Sequence, residues 1–589
     1  MLKKVSQRFS QDKSIILLLL ISIVLIGIRF LWLDRFPVGI NHDEAEVVLS
    51  AKTYWKYGTD ISLTPFPKSI FTNETSGGLS GLPSFLLTPF IGWAELTLQV
   101  ARLPFVVLNI ASLGLLALIV WQLTKNIVLT FSTIFVGLIN PWLFAYSRAT
   151  TEAPFALFFI LLGIYLLFKY QGKKVLYSII PFILAFYSYF GAKPAVLALV
   201  PLLLFLHWRF FGKTNKKIYL LYLFTFLALI GSYFISLSLL SGENTLSLRS
   251  DRELVFMNLD RFSTQINEQR RASITFPATN LFYNKGTSLA KEVFAKYIGW
   301  LSPDHLLFGG DSPSIYRFGE HGVIYLLDIF FILLGVFGLA RLKVHKNKNG
   351  FIFLLAALFI VAPLPSAVSK IGDSYFFRGF LLIPALIVLI ACGVTFLYQE
   401  LSKKHKKVAI GVTAVLYLTL FVNFLVFFFF RYPIKQQENH FLSGRVVSNY
   451  ISRARENTDE NIIVITTSPY AMYHQYLIYF NGQQVDTPQL RSKEHTIDNI
   501  IFRSGCDNYK EGEIVIFDSR LNCDLPEKGE VLVIQDQKDA GFQFSILNDN
   551  LCRNMALSPW RREHVVSDYM LEKMDTETFC NRWIYKYEI

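Results

Sequence analysis

Charge is what this chain has least of. Only 17% of its 589 residues are Asp, Glu, Lys or Arg, against roughly 25% in an ordinary soluble domain. A water-facing surface of this size cannot be built from so few charges. That excludes the purely soluble, several-domain protein that the length alone would allow. Zinc-finger spacings and aromatic-studded basic stretches are also missing. The formal net charge of +13 therefore does not mark a nucleic-acid binder, and no nucleic acid is expected as a partner. No internal repeat or low-complexity tract is present. Cysteine is scarce, with five in all. Cys392 lies in an apolar block, whereas Cys506, Cys523, Cys552 and Cys580 fall in the polar C-terminal part. Outside the cytosol those four allow two disulfides, with three possible connectivities. The pairing nearest in sequence, Cys506 with Cys523 and Cys552 with Cys580, is the expected one.

Apolar residues fill the gap: 52% of the chain, with 54 Phe, gathered in blocks. The first block, about Ser14 to Leu33, follows Lys3, Lys4, Arg8 and Lys13. It is long enough to span and is followed by no small-residue cleavage site, so it reads as an uncleaved anchor with its N-terminus inside. Further blocks lie at about 103–122, 127–146, 153–168, 175–190, 194–208, 218–240, 323–340, 351–368, 379–398 and 409–430. Together they predict an all-α polytopic membrane protein of about eleven transmembrane helices. Alternate loops carry Lys125, Lys169 to Lys174, Arg209 to Lys217, Arg341 to Lys348 and Lys403 to Lys407, with almost no acids. That is the positive-inside pattern repeated at every turn, and an error of one span would break it.

With this count three long segments fall outside: 34–102, 241–322 and 431–589. The domain organisation expected is a membrane domain over 1–430 and a soluble extracytoplasmic α/β domain over 431–589. In the latter, Ile462–Thr466, Glu513–Asp518 and Glu530–Gln535 read as short buried strands, and Met472–Phe480 as a helix.

Polar clusters sit at the outer ends of the spans. Asn41-His42-Asp43-Glu44-Ala45-Glu46 follows the first span. A solvated loop, or carboxylates favoured by the start of a helix over Ala45–Tyr57, would explain it blandly. It also places a base and possible metal ligands together. Ser147–Glu152, Tyr187–Pro194 and Gly372–Gly379 each put one cation at the outer boundary, namely Arg148, Lys193 and Arg378, and Arg102 does the same before the second span. Snorkelling anchors explain any one of them. Four against the positive-inside trend point to a lipid phosphate, which needs fixed cations at headgroup depth.

These motifs resemble the GT-C membrane glycosyltransferases. The carriers are His42-Asp43-Glu44 after the first span, Arg102-Leu103-Pro104 opening the second, Ser147-Arg148 with Glu152 and Pro154 opening the fourth, and Arg378 to Pro384 running into a span that ends near Gly393. The most similar branch is the protein O-mannosyltransferase and aminoarabinose transferase type (glycosyltransferase family 39). The resemblance covers about 1–400, and the C-terminal part matches no family.

The resemblance implies a GT-C fold and transfer of a sugar from a polyprenyl-phosphate donor to an acceptor hydroxyl of a protein, lipid or glycan, with inversion. The site would face the outside of the cell membrane, among membrane lipids. Asp43 takes the position of the catalytic carboxylate, and Glu44 is assigned to orientation or acceptor binding. Arg148, Lys193, Arg378 and Arg102 would hold the donor phosphate. Some relatives place a glutamate near a divalent metal ion, paired with a histidine of the middle loop. Glu74 matches the former, and His305 or His321 the latter. The Lys-Pro-Pro or His-Pro-Pro that often follows in that loop is here Thr75-Ser76-Gly77-Gly78. The chemistry is self-consistent, since an aspartate ionised at pH 7 can be the base and cations can hold the leaving phosphate as charge develops on it. A polymerase or ligase of surface polysaccharide is the alternative enzyme. A transporter would want ionisable groups at mid-span, where Asp328 is the main one here, and a non-catalytic scaffold would tolerate loss of Asp43.

Overall fold

The structure is a computed structural model. It describes residues 13–72, 79–212, 215–240, 254–257, 259–274, 276–309, 321–341, 347–370, 377–435, 438–481, 494–506, 509–510, 512–521, 528–535, 540–559 and 568–588. Each of the eleven apolar blocks contains helix. Six helices are long and apolar enough to cross a membrane: Leu98–Thr124, Ala192–Phe211, Lys216–Ser236, Lys348–Ala367, Leu382–Glu400 and Val408–Lys435. Other blocks are shorter for local reasons. The third breaks at Asn140, whose side chain accepts from the Leu143 N–H at 2.8 Å and starts a new helix at Pro141. The fifth opens as a 3₁₀ turn, Gly172–Ser178, before the helix Ile179–Ser188.

Small residues set the tightest helix pair. A β-carbon at Gly393 would run into the Phe331 carbonyl, and one at Gly335 into that of Leu389. The helices Leu326–Arg341 and Leu382–Glu400 therefore meet backbone to backbone, as small residues permit inside a membrane. Asp328 belongs to this packing. Its carboxylate accepts from the Tyr417 hydroxyl at 2.6 Å and the Tyr325 N–H at 2.8 Å.

The C-terminal region carries a seven-stranded sheet: β1 (Ile462–Ile465), β2 (Glu494–Ile497), β3 (Ile500–Arg503), β4 (Ile514–Asp518), β5 (Lys528–Gln535), β6 (Ala540–Leu547) and β7 (Ile584–Glu588), ordered β2-β3-β1-β4-β6-β5-β7. β1 pairs in parallel with β3 and β4, and the other pairs are antiparallel. β1 and β4 are buried throughout, which is why they read as unbroken apolar runs. The helix Pro469–Tyr476 leads away from β1.

Cys552 and Cys580 are bonded, with Cα atoms 5.6 Å apart. Cys506 is also disulfide-bonded, and Cys523 lies outside the described residues. Cys392 is free and buried. The bond from Cys552 to Cys580 closes a segment of 28 residues. Its removal is expected to cost about 3 kcal/mol by relaxing the unfolded chain. Denaturant unfolding of Cys552→Ser/Cys580→Ser in detergent measures this, and an unchanged midpoint would refute it.

This region is seated on the membrane-proximal chain rather than tethered beside it. Arg445 forks onto Glu572 at 2.8 and 2.7 Å and also donates to the Val38 carbonyl at 2.6 Å. The Phe36 ring meets Phe429 at 5.6 Å and Tyr569 at 6.2 Å. Gly39 lies so close to the His440 carbonyl that a β-carbon would not fit.

Candidate functional site

The helix that bears Asp43 starts earlier than expected, at His42, and runs to Tyr57. Asn41 caps it. Its side chain accepts from the Glu44 N–H at 3.0 Å, and the Glu44 carboxylate accepts from the Asn41 N–H at 3.0 Å. This reciprocal box satisfies two donors that a helix start would otherwise leave open. Gly58, with φ of 72°, ends the helix where a side chain would be strained. The other oxygen of Glu44 accepts from the Thr150 N–H at 2.9 Å. Glu44 is thus a buried clamp that ties the 41–46 and 147–152 motifs together.

Asp43 is placed otherwise. Its side chain is 58% exposed, and Nδ1 of His42 stands 3.4 Å from its carboxylate. Among the described residues that is its only side-chain partner.

The loop leading to this helix is held by buried side chains. Arg148 donates to the carbonyls of Phe36 (3.0 Å), Leu31 (2.7 Å) and Arg29 (3.4 Å), and its guanidinium lies over the rings of Phe144, Phe428 and Phe429. Arg102 donates to the carbonyls of Leu33 (2.8 Å), Pro37 (3.0 Å) and Gly39. Gln475 donates to that of Ile40 at 2.7 Å. Arg29 anchors the start, with donations to Asn109 and to the carbonyls of Gly137, Leu138 and Leu143. A planar guanidinium suits this work because one fork reaches several carbonyls. Arg148 and Arg102, expected as phosphate ligands, spend these donors on backbone. Arg29, Arg445 and Gln475 were not singled out in the sequence. Only Arg29 gave a signal, a lone cation within an apolar block.

The remaining cations lie along a connected strip. Tyr146 stacks on Trp142 at 4.3 Å and meets Phe377 at 5.2 Å, while Tyr189 meets Phe380 at 6.2 Å. The segments that carry Arg148, Lys193 and Arg378 are therefore neighbours. Glu152 accepts from the Ser80 N–H and ties in the first outer loop. Lys193 donates to the Tyr233 hydroxyl at 2.8 Å and lies 4.6 Å from the centre of that ring. Arg378 is partly exposed and donates to the hydroxyl of Ser369.

Of the residues considered for a metal, His305 and His321 are described. His305 is buried against Trp300 at 4.4 Å. His321 packs on Phe424 at 5.6 Å and Phe427 at 5.0 Å, and burial, then Arg431, holds its imidazole below the ordinary range. Glu74 lies outside the described residues. Among those described, no three His, Cys, Asp or Glu gather as a metal site.

No family model matches the sequence, and no curated protein matches it. Solved structures do. The chain is similar to ArnT from Cupriavidus metallidurans bound to undecaprenyl phosphate, at 12% identity and a TM-score of 0.45, over 91% of this chain and 98% of that one. The apo state of ArnT matches at 11% identity and a TM-score of 0.44, over the same shares of both chains. The chain is also similar to the Archaeoglobus fulgidus oligosaccharyltransferase in the apo form, at 13% identity and a TM-score of 0.42, over 80% of this chain and 64% of that one.

Proposed function

We propose that the chain is a membrane glycosyltransferase that moves a sugar from a polyprenyl-phosphate donor to an acceptor hydroxyl on the outer face of the membrane. One observation carries the reading. Asp43 is an exposed carboxylate, while the loop before it and the helix that bears it are fixed by buried hydrogen bonds. A general base needs this combination of access and fixed position. Asp43 takes the proton of the acceptor hydroxyl as that oxygen attacks the anomeric carbon from the side opposite the phosphate. The carbon–oxygen bond to the phosphate breaks, and Lys193 and Arg378 stabilise the charge that collects there. A single displacement of this kind inverts the anomeric centre. About eleven crossings, the N-terminus inside and the region 431–589 outside are part of the reading, supported by the loop charges.

The test is transfer of radiolabelled sugar by purified protein from a panel of polyprenyl-phosphate sugars, with and without chelator, to protein, lipid and glycan acceptors. No transfer from any donor would defeat the proposal. The topology is checked separately. A reporter active only outside the cytosol, fused after Ile589, is expected to be active, and a cytosolic signal would reverse the placement of every loop.

A further inference from the structure

The helix Pro469–Tyr476 of the C-terminal region packs against the helix His42–Tyr57. The contact is made of rings. His474 stacks on His42, with centroids 6.0 Å apart and planes 28° apart. Tyr470 meets His42 at 5.3 Å and His474 at 4.0 Å, and Tyr473 stacks on His495 at 5.3 Å. His474 is fully buried, and neither of its ring nitrogens has a hydrogen-bond partner among the described residues. A buried polar ring left in that state calls for an explanation. Burial, with His42 and His495 adding to it, holds the imidazole well below its ordinary value, so His474 is a neutral ring at physiological pH.

His42 is the one side-chain partner of Asp43 among the described residues, and the rings that hold His42 come from the other end of the chain. We propose that His474 is a positioning residue: through the ring of His42 it fixes the carboxylate of Asp43, which makes the C-terminal region part of the transferase site. This rests on the glycosyl-transfer reading for its consequence, but not for the ring contact itself. It gives the region a role beyond a fold displayed outside the membrane.

The experiment uses the full chain in detergent or nanodiscs, with His474→Ala and His474→Phe. For His474→Ala, kcat is expected to fall about a hundredfold, as misplaced reacting groups do, with the donor KM within about twofold of native. Phe keeps a neutral ring and is expected to restore most of kcat. A general loss of fold would instead lower the amount of folded protein, which the unfolding midpoint reads. Independently of turnover, diethylpyrocarbonate should modify His42 faster in His474→Ala than in the native chain, and at the native rate in His474→Phe, as read by peptide mass mapping. Native kcat in His474→Ala, or unchanged modification of His42, would overturn the proposal. So would a Phe variant as slow as the Ala variant. If the native chain transfers no sugar from any donor, the transferase reading fails while the labelling still decides whether His474 holds His42.

Discussion

Replacing Asp43 by Asn is expected to slow sugar transfer by about a thousandfold, within the range that a positioned general base contributes. The substitution keeps the shape of the side chain and removes the basic lone pair. The fold should not notice, because the carboxylate is more than half exposed and its one polar side-chain partner among the described residues is His42. The unfolding midpoint should therefore match the native value, and so should donor KM, since the base acts on the acceptor oxygen. Glu44→Gln is expected to behave in the opposite way. Both oxygens of Glu44 receive backbone N–H groups, from Asn41 and from Thr150. Gln presents one of them with an NH₂ group and leaves a buried donor unmatched, at a cost of about 1–3 kcal/mol. Its midpoint should fall, and the turnover of the folded fraction should change less than in Asp43→Asn. Paired measurements of transfer and unfolding separate the two residues. A native rate in Asp43→Asn would end the mechanism even if the chain transfers sugar.

The adjacency of these two carboxylates shows what a sequence can and cannot display. Both were legible as polar residues at the outer end of the first span, and successive helix positions point about 100° apart. Which of the two turns inward was not legible, because the partner that decides it is the Thr150 N–H, more than a hundred residues away. The apolar blocks were legible as helices because a long apolar run has few other uses. Where those helices break was less so. The fifth block opens in a 3₁₀ turn that its apolar run does not announce. In the C-terminal region β1 and β4 stood out as continuous apolar runs. β2 and β3 did not, since they mix Glu494, His495, Thr496 and Arg503 with apolar residues and gain their place by pairing. His474 and Tyr470 gave no signal at all. Their meaning lies in the approach of His42 from the far end of the chain.

The cations divide by the same logic, and the division yields the second large effect. Arg148→Ala is expected to remove folded protein, whereas Lys193→Ala and Arg378→Ala are expected to remove activity. Arg148 is fully buried and gives its donors to the carbonyls of Phe36, Leu31 and Arg29. Taking it away leaves those carbonyls without that donor in a dry interior, at about 1–3 kcal/mol for each one left unsatisfied. Against a total stability of about 5–15 kcal/mol, the variant should accumulate poorly in the membrane or melt early. Lys at 148 should rescue only in part, because a single ammonium cannot reach what a planar fork reaches. Lys193 and Arg378 make side-chain contacts, to Tyr233 and Ser369. If they hold the leaving phosphate, truncating either should remove roughly 2–4 kcal/mol of charge stabilisation, about a hundredfold in turnover, with insertion and midpoint close to native. The decisive quantity is turnover per folded molecule. A well-folded Arg148→Ala protein that turns over a hundredfold slowly would return Arg148 to the phosphate site. Native turnover in both Lys193→Ala and Arg378→Ala would leave these two cations as anchors at the membrane boundary.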